Sequence, residues 1–381
     1  MHTLRFLTAG ESHGPELVTV LDGVPAGLPV AQEDIDRDLR RRQQGYGRSR
    51  RQVIEQDTAQ VVGGIAAGRT TGGPIALRVE NRDWKNWKDR TRPVMTIPRP
   101  GHADLAGALK YRHDDLRVVL ERASARETAA RVAAGAIARR LLSEFGITVA
   151  SQVVAIGGVG VQPADLADPA VRERVEASSV RVADPHAEAQ LVERIDAARL
   201  ARDTVGGICS VEVFGLPAGL GSYVQWDRRL DGRLAQAVMS IQAIKAVEVG
   251  DGFRGAGMLG SELHDEILPA ADVIPGLHGL GRASNRAGGL EGGVSNGQPV
   301  VVRMAMKPIS TLLHGIGSVD VSSGEATRAK YERSDICAVP AAAVVGEAMV
   351  ALVVADALLE KFGGDSIAEL RERLPGPDGV G

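Results

Sequence analysis

The stretch RASARETAARVAAGAI, residues 122–137, decides the fold because it has a gapless counterpart in RSDICAVPAAAVVGEA, residues 333–348. The alignment places Gly135 opposite Gly346. Self-similarity of this kind indicates an internal duplication, in which each copy forms an equivalent structural element. The first copy is rich in alanine and the second in alanine and valine, so each copy predicts a buried helix.

Both helices have predicted ends. In the first, Ser124 and Glu127 have the spacing of a capping box, and the apolar positions continue to about Leu142 before Gly146 closes the helix. The second is predicted from Pro340 to Gly363. Its length would also suit a membrane span, but Glu347 and Asp356 interrupt it, which favours a buried core helix.

Two further pairs of segments repeat in the same order along the chain. Residues 18–29 (VTVLDGVPAGLP) resemble residues 210–221 (SVEVFGLPAGLG), and residues 70–81 (TTGGPIALRVEN) resemble residues 295–306 (SNGQPVVVRMAM). Each of these segments contains alternating apolar positions and glycine or proline turns, which predict strands.

The repeats predict one domain over residues 1–381, made of related halves at about 1–150 and 205–365. The charged stretch at about 160–200 is predicted as a peripheral insertion. Because the strands alternate while the helices are apolar, we expect an α+β fold of layered β-α-β sandwich type, with central long helices between antiparallel sheets.

Composition narrows the class of protein. The 381 residues contain 45 Lys and Arg against 48 Asp and Glu, a net charge of −3 that argues against a general nucleic-acid binder. Two cysteines without metal-site spacing indicate a reducing compartment and no usual metal site. The N-terminal residues have no signal-peptide pattern, so we expect a cytoplasmic protein that is not bound to a membrane.

Two familiar motifs are misleading here. Residues 10–14, GESHG, match the nucleophile elbow of serine hydrolases, but only nine residues precede them and a proline follows them, which argues against Ser12 as a nucleophile. Residues 255–260, GAGMLG, match the dinucleotide fingerprint G-x-G-x-x-G, but no alternating β-α pattern surrounds them. An NADPH-dependent flavin oxidoreductase therefore remains only the alternative function.

An intense cationic cluster occupies residues 39–52, LRRRQQGYGRSRRQ. Such a run can be a solvated helix end or an RNA-contacting loop. Because the whole protein is acidic, a small ligand with several anionic groups suits the cluster better, since guanidinium groups grip phosphate and carboxylate bidentately. Glycines within the run would allow the loop to close over that ligand.

Two other places have suitable chemistry. His102 follows a Pro-Gly turn, where an imidazole can serve as acid or base, although an exposed histidine is the commoner case and is our interpretation of His113 and His278. The two helix entries, residues 122–124 and 333–335, combine arginine with a helix N-terminus and so attract anions. Asp335 could also be simply an N-cap.

Together these residues resemble the chorismate synthase family over nearly the whole chain. The resemblance is carried by seven motifs in family order: GESHGPELVTVLDGVP, RRRQQGYGR, RPGHADL, ERASARETAARVAAGAI, SIQAIKAVEVGDGF, SNRAGGLEGGVSNGQP and RSDICAVPAAAVVGEAM. It implies a lyase that eliminates phosphate from 5-enolpyruvylshikimate 3-phosphate to give chorismate, with reduced FMN required but no net redox change. It also implies a homotetramer.

The resemblance implies a role for individual residues. His13 would protonate the departing phosphate, His102 would act near flavin N1, and Ser12 with Asp335 would form a proton relay. The implied substrate contacts are Arg42, Arg48, Arg51 and Arg126. The implied flavin contacts are Arg122, Ala123, Ser124, Gln242, Ala243, Gly292, Lys307, Pro308, Ile309, Ser310, Thr311 and Arg333.

The sequence departs from the family at a few places. Gln242 stands where many relatives have asparagine, and the segment between Trp84 and Pro98 is shorter than in some of them. No reductase domain is recognisable, so we expect the monofunctional type, which depends on an external flavin reductase or another supply of reduced flavin.

Overall fold

Two long helices lie at the centre of the fold in the computed structural model, which describes residues 3–49, 56–89, 92–269, 280–329 and 334–374. They are the two helices expected from the repeated stretch, α4 and α10, and they pack directly against each other. The helices are α1 (Gln32–Gln43), α2 (Asp104–Tyr111), α3 (Arg117–Arg122), α4 (Thr128–Ser143), α5 (Pro169–Ala177), α6 (Pro185–Leu200), α7 (Leu230–Met239), α8 (Gly252–Gly255), α9 (Gly260–Leu263), α10 (Val339–Phe362) and α11 (Ile367–Arg373).

Antiparallel sheets contact these helices. The strands are β1 (Arg5–Ala9), β2 (Glu16–Asp22), β3 (Ala59–Gly63), β4 (Ile65–Ala66), β5 (Arg69–Thr70), β6 (Ile75–Glu80), β7 (Thr148–Ile156), β8 (Val159–Gly160), β9 (Gly207–Phe214), β10 (Ile244–Val249), β11 (Ile267–Pro269), β12 (Leu280–Arg282), β13 (Leu290–Glu291), β14 (Val294–Ser295), β15 (Val300–Met306), β16 (Gly317–Val319) and β17 (Ala326–Arg328). One sheet has the order β1-β2-β6-β3 and another the order β10-β15-β9-β7-β8. Helix α4 contacts β2 and β6, whereas α10 contacts β7 and β9.

The start of α4 differs from the expected capping box. Ser124 Oγ accepts the backbone N–H of Arg126 at 3.3 Å and so caps a 3-10 turn, Ala125–Glu127, that precedes the helix. The carboxylate of Glu127 does not complete the box, because it accepts hydrogen bonds from Thr8 at 2.6 Å and from Gln242 at 2.9 Å. Competing tertiary partners therefore determine where α4 begins.

Helix α10 contains charged groups that need partners. Its most apolar window is 94% buried, as expected for a core helix. Glu347 is completely buried and pairs with Arg41 at 2.8 Å and with Arg139 at 2.9 Å. Burial raises the pKa of Glu347, but Arg41, Arg139 and Arg181 outweigh that effect and hold the carboxyl pKa below its usual value. Asp356 pairs with Arg233 in the same way.

The stretch expected as an insertion forms α5 and α6, each of which begins with an aspartate cap and a proline. Both helices have charged outer faces. Apolar residues of α6, among them Leu191 and Ile195, nevertheless belong to the principal core. Tyr46 also donates a hydrogen bond to Asp196 at 2.9 Å, so α6 contacts the arginine-rich loop that follows α1.

The aligned glycines make close contacts with different neighbours. A Cβ atom at Gly135 would lie 2.4 Å from Cβ and 2.6 Å from Cα of Ala348, so this glycine allows α4 to approach α10. A Cβ atom at Gly346 would lie 2.6 Å from Cε of Met304, so the second glycine allows α10 to approach its sheet. At Gly135 the close atoms include backbone, which cannot move aside, whereas at Gly346 they are side-chain atoms of Met304 and Val211.

We expect Gly135→Ala to destabilise the protein by about 2 kcal/mol, because the added methyl group meets the backbone of α10. Gly232→Ala is the matched control, since Gly232 lies in α7 with only the carbonyl oxygen of Trp226, at 3.9 Å, near the added Cβ. It should be neutral or stabilising by up to about 1 kcal/mol. Urea unfolding measures both, and equal behaviour of the two variants would contradict the packing argument.

Candidate active site

The loop between β1 and β2 brings Ser12 and His13 to the end of α3. The backbone N–H of Ser12 donates to the carbonyl of Glu121 at 3.1 Å, and Asn81 Nδ2 donates to the carbonyls of Glu11 and Gly14 at 3.0 and 2.9 Å. Ser12 is buried, and its Oγ accepts a hydrogen bond from Ser124 Oγ at 3.2 Å. The segment is therefore held by backbone contacts on both sides.

His13 contacts a carboxylate. Its Nδ1 lies 3.0 Å from both carboxylate oxygens of Glu121, which also pairs with Arg92 at 3.0 Å. Burial raises the pKa of Glu121, but the hydrogen bond from His13 and the charge of Arg92 outweigh it and leave that pKa below its usual value. Glu121 is therefore ionised at neutral pH.

An excess of guanidinium groups surrounds one buried carboxylate. Arg42 and Arg126 both bind Asp57, at 2.6 and 2.7 Å, and Arg48 lies close enough to Arg42 to affect its charge. Burial, the largest effect, lowers the pKa of Arg42, and the charges of Arg126 and Arg48 lower it further against the attraction of Asp57. The Nε atoms of Arg42 and Arg48 are buried without hydrogen-bond partners. Such a cluster can accommodate a further anion.

The arginine run divides between three environments. Arg40 pairs with the exposed Glu33, Arg41 with the buried Glu347, and Arg42 with Asp57. The interpretation of the whole run as one anion-binding cluster is therefore wrong for Arg40 and Arg41, because consecutive residues of a helix face different directions. Arg51, an expected substrate contact, lies outside the described residues.

His102 has a carboxylate partner of its own. Its Nδ1 lies 2.5 Å from Asp104 Oδ1 and 3.0 Å from Arg99 Nη2. Burial raises the pKa of Asp104, but hydrogen bonds from His102 and Arg99 hold that pKa well below its usual range. Lys307 donates to the carbonyl of Gly101, so this turn contacts the segment 307–311.

Asp335 is not an N-cap, because the N-cap of α10 is Ala338. Asp335 Oδ1 accepts the backbone N–H of Ser49 at 2.6 Å, and Oδ2 pairs with Arg48 at 3.0 Å. The neighbouring Ser334 donates to the carbonyl of Thr311 at 3.1 Å. Asp335 and Ser334 together therefore connect the arginine cluster to residues 307–311, the segment that contacts the His102 turn.

Some expected flavin contacts meet at a cavity of about 440 Å³. Arg122 and Gln242 line it, and Gln242 Oε1 is buried without a partner. The carbonyl of Ala243 accepts the backbone N–H of Lys307 at 3.0 Å, which connects this region to the segment 307–311. Gly292 lies instead in the turn between β13 and β14, beside Tyr223. Arg333 lies outside the described residues.

Sequence reasoning missed the carboxylates that hold these groups. Glu121 stands directly before the repeated stretch, so its position at the end of a helix that meets the GESHG loop was a usable signal. Asp57 has no such signal, because it follows Arg42 by 15 residues in a segment without a motif. Its importance depends on a contact with Arg126 that only the folded chain makes.

Two histidines that each contact a carboxylate, together with a cluster of buried guanidinium groups, suit an enzyme that acts on a multiply anionic small molecule. The comparisons identify that enzyme as a lyase of the shikimate pathway. The chain belongs to the chorismate synthase family, whose family model matches residues 4–359.

Individual relatives are similar to this protein along nearly the whole chain. The chain is 57% identical over 376 residues to the chorismate synthase of Desulforudis audaxviator, with 96% of this chain and 95% of the relative covered. It is 52% identical over 389 residues to that of Salinispora tropica, with 98% of each covered. A solved structure described as the crystal structure of chorismate synthase is similar with a TM-score of 0.78 and 45% identity, covering 97% of this chain and 96% of that one.

We expect Asp57→Asn to lose about 3 kcal/mol of stability at pH 7, because it leaves Arg42 and Arg126 without their buried counterion. The pKa of Asp57 is lower in the folded protein than its usual value, because Arg42 and Arg126 outweigh the effect of burial, which raises it. The stabilisation is therefore complete above about pH 4 and disappears as the pH falls further.

Urea unfolding of wild type and variant at pH 7 and below pH 4 tests this expectation. The difference in the free energy of unfolding between wild type and variant should become smaller as the pH falls. Asp22→Asn is the matched control, since Asp22 pairs with Arg5 at the surface and should lose less than about 0.5 kcal/mol. A gap that stays constant across this pH range would contradict the role given to the charge of Asp57.

Proposed function

We propose that this protein converts 5-enolpyruvylshikimate 3-phosphate to chorismate and phosphate by a 1,4-elimination that requires reduced FMN without net redox change. Family membership supports the reaction. The observation that carries the proposal is the arginine cluster, in which Arg42 and Arg48 keep buried Nε atoms without partners beside two carboxylate-held histidines. Such a site suits a substrate with one phosphate and two carboxylates.

The three described arginines bind and orient the substrate in this proposal. Arg42, Arg48 and Arg126 have rigid donor forks, and their positions are held by Asp57, Asp335 and Asn81. Because the guanidinium groups are already in place, little reorganisation is needed when negative charge shifts towards the leaving phosphate. Arg51 is proposed as a further contact on the basis of the resemblance alone.

The histidines and Ser12 handle protons. The elimination breaks one C–H and one C–O bond and forms a new C=C bond, so one proton leaves carbon and the phosphate departs with the C–O electrons. His13 donates a proton to the departing phosphate. Ser124 Oγ accepts from the backbone N–H of Arg126 and donates to Ser12 Oγ, and we propose that Ser12 with Asp335 forms the relay that takes up the proton leaving carbon.

The chain's residues fit FMN at the cavity that Arg122 and Gln242 line. Gln242 Oε1 is a buried acceptor without a partner, which suits an N–H donor, and Arg122 supplies a cation beside the helix entry. Ala123, Ser124, Ala243, Gly292, residues 307–311 and Arg333 are the proposed further contacts. Reduced FMN would supply electron density to the substrate as the phosphate leaves. His102, whose Nδ1 faces Asp104, would keep its Nε2 available to hold a proton at that site.

The alternative, an NADPH-dependent flavin oxidoreductase, lacks local support. The glycines of residues 255–260 lie on and between two one-turn helices, α8 and α9, that follow the antiparallel strand β10. A dinucleotide fingerprint needs a parallel strand, a tight turn and a long helix whose N-terminus meets the pyrophosphate. We therefore propose that an external flavin reductase or another supply of reduced flavin serves this protein.

We infer further that the fold is a layered β-α-β sandwich of two duplicated halves. Val18 pairs with Arg78 in one half and Ser210 with Arg303 in the other, which is the register that the sequence repeats require. The long helices also begin at aligned positions, since α4 starts at Thr128 and α10 at Val339. The strand register and the helix starts are two separate observations, and both agree with the sequence alignment of the two halves.

A cytoplasmic homotetramer without nucleic-acid or membrane partners completes the proposal. Leu7 and Val20 lie opposite each other on β1 and β2, and 78% and 38% of their surfaces are exposed. An outward apolar pair on an edge of a sheet suits contact with another copy of the chain. The net charge of −3 supports the absence of nucleic acid.

Anaerobic turnover tests the proposed reaction. We expect chorismate and phosphate to appear in equal amounts when the protein is mixed with 5-enolpyruvylshikimate 3-phosphate and chemically reduced FMN. A parallel mixture with NADPH and oxidised FMN should give no product. Turnover without reduced FMN would contradict the flavin requirement, and product in the NADPH mixture would instead support the alternative.

We expect Asp335→Asn to lower kcat by about 10-fold or more, since the amide cannot take up a proton in the relay. The amide oxygen can still accept from Ser49, but the ion pair with Arg48 is lost, so the thermal unfolding midpoint should fall modestly while the protein stays folded. Glu33→Gln serves as the control, because Glu33 pairs with Arg40 at the surface. An unchanged kcat in the folded Asp335→Asn variant would show that Asp335 has only a structural role.

A further inference from the structure

Glu121 makes an unusual number of contacts with one short segment. Its side chain is only 8% exposed and lies in the last turn of α3. One carboxylate oxygen accepts the backbone N–H of His13 at 2.7 Å, and both oxygens lie 3.0 Å from His13 Nδ1. Its carbonyl accepts the backbone N–H of Ser12 at 3.1 Å. Glu121 therefore holds both the backbone and the ring of His13.

A second contact restricts the ring from another side. The centroids of the His13 and Trp87 rings lie 4.5 Å apart with the planes inclined at 51°. The guanidinium group of Arg92 lies 4.5 Å from the centroid of the same indole and also binds Glu121. Trp87 Nε1 donates to Asp83 at 2.8 Å, which fixes the indole. The four residues are thus linked in a ring of contacts, in which Trp87 and Glu121 contact His13 directly and Arg92 connects Trp87 to Glu121.

We propose that Glu121 is a positioning residue for His13: its carboxylate accepts the hydrogen bond from Nδ1–H, so that the proton donated in the reaction leaves from Nε2. This inference rests on the proposed role of His13 as the acid. An imidazole that donates through one nitrogen has its tautomer set by the hydrogen bond at the other. His102 and Asp104 make the same type of pair, at 2.5 Å, so both histidines of the site have a carboxylate at Nδ1.

The charges near His13 favour this role over a purely structural ion pair. The groups facing the ring are Glu121 from α3 and Arg92 from the segment before α2, and Glu11 on the same loop is exposed. When His13 is neutral, the positive charge of Arg92 balances the negative charge of Glu121. Since both carboxylate oxygens lie 3.0 Å from Nδ1, a proton on that nitrogen gains a direct partner, so the pair determines which ring nitrogen carries it.

Glu121→Gln tests the proposal, because it keeps the shape of the side chain and removes its charge. We expect kcat to fall about 10-fold near neutral pH while KM for 5-enolpyruvylshikimate 3-phosphate changes little. The reason is that an amide oxygen accepts the Nδ1–H hydrogen bond less strongly than a carboxylate and holds the ring less firmly. Glu121→Asp retains the carboxylate and should restore part of the lost kcat.

Glu176→Gln is the matched control. Glu176 also binds two guanidinium groups, those of Arg41 and Arg181, but it lies on α5, away from His13. Its variant should show the wild-type kcat. If Glu121→Gln does not fold, the kcat of Glu121→Asp decides, because a displaced carboxylate that leaves kcat unchanged would overturn the proposal.

His13→Ala separates this inference from the proposed function. If His13 is the acid, His13→Ala should lose about 10²-fold or more in kcat, and adding Glu121→Gln to it should cause no further loss, because Glu121 acts through His13. Unchanged turnover in His13→Ala would overturn the acid role itself. A large loss in His13→Ala together with an unchanged kcat in Glu121→Gln would overturn only the positioning role.

Discussion

The pairing of Arg41 with Glu347 is the constraint on which much of the structure depends. Glu347 lies in the middle of α10 and is completely buried, so its charge requires cationic partners from the neighbouring elements. Arg41 supplies one from α1 and Arg139 another from α4, while Arg181 reaches it from the segment before α6. A single carboxylate thus sets the positions of three elements around the helix.

The same interaction places the candidate active site. Arg42 follows Arg41 on α1, so an α1 helix that is anchored through Glu347 presents its next residue to Asp57. Asp57 also binds Arg126, which lies just before α4. The core and the site therefore share α1 and the start of α4, and the anion-binding guanidinium groups are rigid because the helices that carry them are packed and charge-paired.

The two helix entries have become chemically different although they align. Ser124 precedes α4 and gives its hydroxyl hydrogen to Ser12, whereas Asp335 precedes α10 and binds Arg48 and Ser49. A neutral hydroxyl therefore occupies one entry and a carboxylate the other. The aligned positions before the two helices therefore hold a hydrogen-bonded pair of hydroxyls on one side and a counterion for an arginine on the other.

The sequence by itself determined the repeated helices, the strands that alternate around them and the family. These features depend on local periodicity and on motifs, which can be recognised in the sequence without the folded structure. It also pointed to His13, His102 and Arg42, because their surroundings in the chain are distinctive.

Only the tertiary structure decided which charges meet. It assigned Arg41 to the core and Arg42 to the site, replaced the expected capping box by contacts of Glu127, and revealed Glu121 and Asp57 as partners. The physical reason is that the energy of a buried charge depends on neighbours distant in sequence, and periodicity gives no information about them.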